Sequence, residues 1–105
     1  MTASGGWFLR VRVLRSGSAG NAILAEACGT RLLVDAGIPL DLVERELAPM
    51  GLEATDLSAI LLTHEHDDHA RGAGAVARAA GIPVLANERT LRHAAGALGG
   101  VATER

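Results

Sequence analysis

The sequence predicts one small layered α/β domain at most, and three observations carry that reading. An alternating apolar segment and a glycine-turned hairpin come first. Later apolar runs lack polar alternation, as strands inside a layered domain do. Segments of helical length separate them. With 105 residues, 49% of them hydrophobic and 21% charged, the chain has a globular balance and leaves room for one domain.

The elements follow in order. From Trp7 to Leu14 the chain alternates, with Trp7, Leu9, Val11 and Val13 on one side and Arg10 and Arg12 on the other, the pattern of a half-buried strand. Ser16 to Asn21, "SGSAGN", breaks it. Ala22 to Ala27 and Arg31 to Val34 read as an antiparallel pair joined through "CGT". Pro39 can open a helix on which Leu40, Val43 and Leu47 share a face, and Pro49 or Gly51 ends it. Ala59 to Thr63 is expected to be a strand covered on both faces, and the alanine-rich stretch Ala73 to Ala80 a helix stopped by Gly81 and Pro83. "PVLA" is a second buried strand. Asn87 is the expected N-cap of a last helix through Leu91, Ala94 and Leu98 to Gly99 and Gly100.

A net charge of -2 excludes a histone-like electrostatic binder, although all ten basic side chains are arginines and Arg10, Arg12 and Arg15 share one edge. A solvated strand face is the plainer account of those three. Cys28, the one cysteine, cannot close an internal disulfide and fits a reducing, cytoplasmic setting. No secretory leader or membrane-spanning run is expected.

Three of the four histidines fall within "THEHDDHARG", Thr63 to Gly72, at the end of the Ala59 strand. Imidazole nitrogen and carboxylate oxygen are the non-thiol ligands that zinc and related ions take up. His64, His66, Asp68 and His69 are therefore four candidate ligands at a strand's carboxyl end, where open α/β sheets place their sites. In extended backbone His64 and His66 point the same way, whereas Asp68 and His69 follow as the chain turns, so the spacing suits two ions roughly 3.5 to 4 Å apart. Glu65 and Asp67 are expected to face away, and a solvated loop capping the next helix is the bland alternative.

The H-x-H-x-D-H pattern of His64 to His69, with Gly72 after it, resembles the signature of the metallo-β-lactamase superfamily. "SGSAGN" after the first strand and "LLVDAG", Leu32 to Gly37, agree in order with its WalJ/YycJ-like branch of bacterial metal-dependent hydrolases. The resemblance runs from about Val11 to Gly99. It implies the N-terminal half of an αββα sandwich, a mixed sheet with helices on one face. It also implies two divalent ions, zinc or manganese: His64 and His66 hold the first, Asp68 and His69 the second, and Asp68 orients the attacking water. Asp35 props the ligand loop by hydrogen bonds, a plain turn residue being the alternative. Ser16, Ser18 and Asn21 lie beside the cleft, where hydroxyl and amide groups meet a phosphate, or they simply connect strands. His93 matches no ligand position.

The implied reaction is phosphodiester hydrolysis, as in a DNA exonuclease, by a metal-bound hydroxide. The third ligand of each ion belongs to the second half of the fold and is not found between His69 and Arg105. The expectation is accordingly an incomplete copy, residues 1-105 forming the first half only, with an exposed apolar sheet face that pairs with the missing half or with a second copy. An acyl substrate such as a thioester or lactone, and a non-catalytic metal-binding or interaction fragment, stay open.

Overall fold

The computed structural model describes residues 9–64, 66–98 and 102–104. Trp7, Glu65, Gly99 and Gly100 lie outside the described residues, as do the side chains of Asp67 and Asp68.

Six strands make one mixed sheet in chain order: Arg10–Arg15 (β1), Ala22–Ala27 (β2), Thr30–Val34 (β3), Ala59–Leu61 (β4), Val84–Leu85 (β5) and Thr103–Glu104 (β6). The first three pair antiparallel, and β3 to β6 are parallel. The β2–β3 hairpin closes through Cys28 and Gly29, whose φ values of 52° and 81° are the left-handed pair a two-residue turn demands.

Helices make the returns between parallel strands: Leu40–Leu47 (α1) between β3 and β4, Asp67–Ala70 (α2) and Ala73–Ala80 (α3) before β5, Glu88–His93 (α4) and Ala95–Leu98 (α5) before β6. Each new parallel strand is added on the same side of the last, so crossovers of one hand all pass over one face. That face carries the core. Leu24, Leu33, Ile60 and Val84 lie across it from strand to strand and are almost wholly buried against Val43 and Leu47 of α1 and Val76 of α3. Each such side chain contributes about 1.5–3 kcal/mol of burial.

The opposite face is open. Register places Val13, Ile23, Val34, Leu61 and Leu85 in one row across it, and Val11, Ala25 and Leu32 in the next. This corrects the expectation for β1. Its covered side is that of Leu14, which is buried and shares a face with Arg10 and Arg12, while Leu9, Val11 and Val13 face outward at 66%, 58% and 58% exposure. Alternation separates two faces but does not say which one the helices cover. For the same reason β4 and β5 are not sealed on both sides, since Leu61 and Leu85 stay half-buried.

The arginine edge is partly neutralised. Arg10 meets Glu26 at 3.0 Å, Arg31 meets the same carboxylate at 2.6 Å, and Arg15 lies 3.7 Å from Glu46. Arg10, Arg12, Glu26 and Arg31 border a cleft of about 340 Å³ with Leu24, Met50 and Leu52. Because β1 and β2 are antiparallel, Arg10 stands at the end of the sheet away from Val34, where the histidine loop is.

Helix boundaries follow local chemistry. Gly81 closes α3 at φ 69° with its N–H on Ala77. Asn87 caps α4 by accepting from the Thr90 amide at 2.8 Å. The last helix is not continuous: α4 ends at His93, Ala94 caps it at φ -95°, ψ 4°, and α5 starts at Ala95, in a stretch where Gly96 weakens helical preference.

Candidate metal centre

β3 and β4 end side by side, and the Asp35 amide extends their ladder by donating to the Leu61 carbonyl at 2.8 Å. Asp35 then adopts φ 64°, a left-handed conformation that Asp tolerates better than most residues. The turn carries its carboxylate across the end of β4 into a nearly closed environment, 5% exposed.

The carboxylate gathers the beginning and the end of the histidine loop. Its Oδ1 accepts the Thr63 amide at 2.8 Å, the Thr63 hydroxyl lies 2.8 Å from Oδ2 and 3.0 Å from Oδ1, and His69 Nδ1 lies 2.7 Å from Oδ2. A carboxylate can only accept here, so His69 Nδ1 carries a proton, and in the neutral ring the lone pair falls on Nε2. That is how metal-binding histidines are commonly oriented.

Three imidazoles converge above this anchor. The His64 ring stands edge-on to His66 with centroids 5.0 Å apart, and tilts over His69 at 3.8 Å. His66 is exposed, His64 and His69 half-buried. α2 starts immediately after His66, whose carbonyl accepts from the amides of His69 and Ala70 at 2.8 and 3.0 Å, so one tight turn folds His69 back toward His64. Asp68 belongs to this turn by its backbone. Among the described residues no three His, Cys, Asp or Glu side chains form a finished metal cage. The donor chemistry nevertheless fits a divalent ion, since imidazoles gather at a strand end and at least one is held in the tautomer that ligation needs.

Backbone clasps fix the loop against its neighbours. Ala36 N–H donates to His69 O and Gly72 N–H to Ala36 O, both at 2.7 Å. At Gly72 a Cβ would stand 1.9 Å from the Ile38 carbonyl oxygen, which explains the glycine after the histidine pattern. Gly20 is confined likewise: at φ 155° its Cβ would meet Gly37 O at 2.7 Å.

The serine and glycine loop is tied to the same place. Gly37 N–H donates to Asn21 O at 2.9 Å, and the Asn21 amide closes its own loop on the N–H and carbonyl of Gly17, at 3.1 and 2.8 Å. Asn21 therefore braces the loop, while Ser16 and Ser18 are exposed on it. Arg71 straps two loops together, donating from Nε to Gly37 O at 2.8 Å and from its terminal nitrogen to Ala19 O. Sequence reading passed over Arg71 and treated Thr63 as a strand end, because neither falls at a ligand spacing. His93 sits exposed on α4, on the return from β5 to β6.

An acid-anchored histidine loop at the carboxyl end of β4, in a mixed sheet with one helical layer, defines a class of metal-dependent hydrolase folds, and the chain belongs to the metallo-beta-lactamase superfamily, whose model matches residues 15–105. Among curated relatives, it is 45% identical over 78 residues to exodeoxyribonuclease WalJ of Streptococcus pneumoniae, covering 74% of this chain and 29% of that protein. It is 39% identical over 97 residues to exodeoxyribonuclease YycJ of Bacillus anthracis, covering 92% and 37%. The chain thus spans about a third of the length of these relatives. Solved structures agree on the fold. A HARLDQ-motif mutant of a Cronobacter sakazakii metallo-beta-lactamase superposes with TM-score 0.74 at 20% identity over 90% of this chain and 43% of that one. The subclass B3 enzyme MEM-A1, from a soil metagenome, gives 0.66 at 28% over 78% and 31%.

Proposed function

We propose that these residues carry the ligand loop of a dinuclear metal-dependent phosphodiesterase, an exonuclease acting on DNA. The observation that carries the reading is the Asp35 anchor, which holds His69 by Nδ1 and fixes both ends of the histidine loop. The exodeoxyribonuclease names of two relatives support the substrate class.

In this reading His64 and His66 would hold one ion, and Asp68 and His69 the other. Zinc is the default and manganese fits the mixed imidazole and carboxylate set. When bound, such ions supply Lewis acidity and an activated water. Asp68 would also orient the water that attacks phosphorus. Asp35 keeps the His69 proton on Nδ1 throughout. Ser16 and Ser18 offer exposed hydroxyls to the backbone phosphate beside the cleft, on a loop that Asn21 and Arg71 hold still.

Residues 1–105 form the first part of the sandwich in this account, and the remaining ligands come from outside them. Support comes from the third of the relatives' length that the chain spans and from the open row of Val13, Ile23, Val34, Leu61 and Leu85, which a second sheet would cover. A cytoplasmic setting accords with the exposed, unpaired Cys28 thiol. No helix among the described residues is long and apolar enough to cross a membrane.

The test is metal content together with hydrolysis of bis(p-nitrophenyl) phosphate, end-labelled DNA, a thioester and a lactone by the full-length protein and its His66→Ala variant. Metal-dependent release of nucleotides from DNA ends, lost in the variant, is expected. Equal DNA hydrolysis by the variant, or turnover of the acyl substrates alone, overturns the assignment.

A further inference from the structure

We infer that Thr63 is a positioning residue that sets the tautomer of His64 by passing one hydrogen bond from the ring to Asp35. The inference deepens the metal-site reading and rests on it for the affinity arm of its test.

The Thr63 hydroxyl has one proton and two lone pairs. It stands 2.8 and 3.0 Å from the two Asp35 oxygens and 2.9 Å from His64 Nδ1. Asp35 already accepts the Thr63 amide and His69 Nδ1, so against an acceptor-only group the single hydroxyl proton must point to the carboxylate. Only lone pairs then face His64, and an unprotonated Nδ1 at 2.9 Å would set lone pair against lone pair. The ring must donate. His64 Nδ1–H gives to Thr63 Oγ1, whose proton goes to Asp35.

One carboxylate therefore sets two imidazoles, His69 directly and His64 through a hydroxyl. In both rings the lone pair falls on Nε2, the nitrogen away from the anchor. The backbone makes the relay firm, because the Thr63 N–H holds the same carboxylate and lets the hydroxyl reach it with little freedom. Serine could replace threonine. Valine, of the same shape, could not.

The experiment is long-range proton–nitrogen correlation on the metal-free, ¹⁵N-histidine-labelled protein, at a pH where imidazole is neutral. The parent and Thr63→Ser should show His64 protonated on Nδ1. In Thr63→Val the His64 signals should move toward the Nε2–H form that predominates in water, while His69 keeps Nδ1–H. An Nε2–H His64 in the parent, which needs no variant to observe, overturns the inference, as does an unchanged His64 in Thr63→Val. Zinc affinity, measured by competition with a chelating dye, should fall roughly 10–100-fold in Thr63→Val and recover in Thr63→Ser. Equal affinity in Thr63→Val would overturn the positioning role. A parent that binds no metal would defeat the metal-site reading alone, since the tautomer spectra decide the relay by themselves.

Discussion

Asp35→Asn separates what Asp35 does for the fold from what it does for the imidazoles. The amide keeps the shape and the tolerance for φ 64°. It has one acceptor oxygen where the carboxylate has two. Placed on the Oδ1 side, that oxygen still accepts the Thr63 amide, and the new NH2 faces His69 Nδ1 across 2.7 Å. The reverse orientation would set NH2 against a backbone N–H that cannot give way. A histidine can, by moving its proton from Nδ1 to Nε2. Loss of one charge-assisted bond predicts about 1–3 kcal/mol of lost stability. Asp35→Ala strips every acceptor from a buried position and predicts about 3–5 kcal/mol, a large share of an ordinary domain's stability. Zinc affinity of Asp35→Asn should fall roughly 10–100-fold, because the proton now sits on the metal-facing nitrogen. Urea unfolding read by circular dichroism gives the first quantity, and competition with a chelating dye the second. If Asp35→Asn binds zinc within twofold of the parent, the orientation argument is wrong.

Three further outcomes are expected. Gly72→Ala should cost more than about 3 kcal/mol in urea unfolding, since the methyl meets backbone at 1.9 Å and the Gly72–Ala36 hydrogen bond must stretch to admit it; a loss under 1 kcal/mol would count against the packing described. Leu33→Ala, at a fully buried position, should lose about 2–5 kcal/mol, whereas Arg92→Ala on the exposed side of α4 should change stability by less than about 1; comparable losses would mean the core is misassigned. Arg71→Ala should raise amide exchange at Gly20 and Gly37 without moving that of Leu33, and unchanged exchange would show that the strap holds nothing.

Local chemistry made much of the fold legible in the sequence. Gly81 marks the end of α3 and Asn87 the start of α4 because each acts on its own neighbours. What could not be read depends on contacts between distant residues. The outward turn of Val11 and Val13 follows from where α1 and α3 pack, which alternation within β1 does not record. The short strand β6 exists by pairing with Val84 and Leu85, not by its own pattern. At the site, ligand spacing singled out His64, His66 and His69, and a family resemblance drew attention to Asp35. The joining of Asp35 to Thr63 across 28 positions, and of Arg71 to Ala19 across 52, arises only when β3 and β4 lie side by side.

The central claim, that the histidine loop is a metal site, is tested most directly by equilibrium zinc and manganese binding to the full-length protein and to His64→Ala, His69→Ala and His93→Ala. Binding should be lost or weakened at least tenfold in the first two and unchanged in His93→Ala, whose histidine stands apart on α4. Equal affinity in all four proteins would contradict the account.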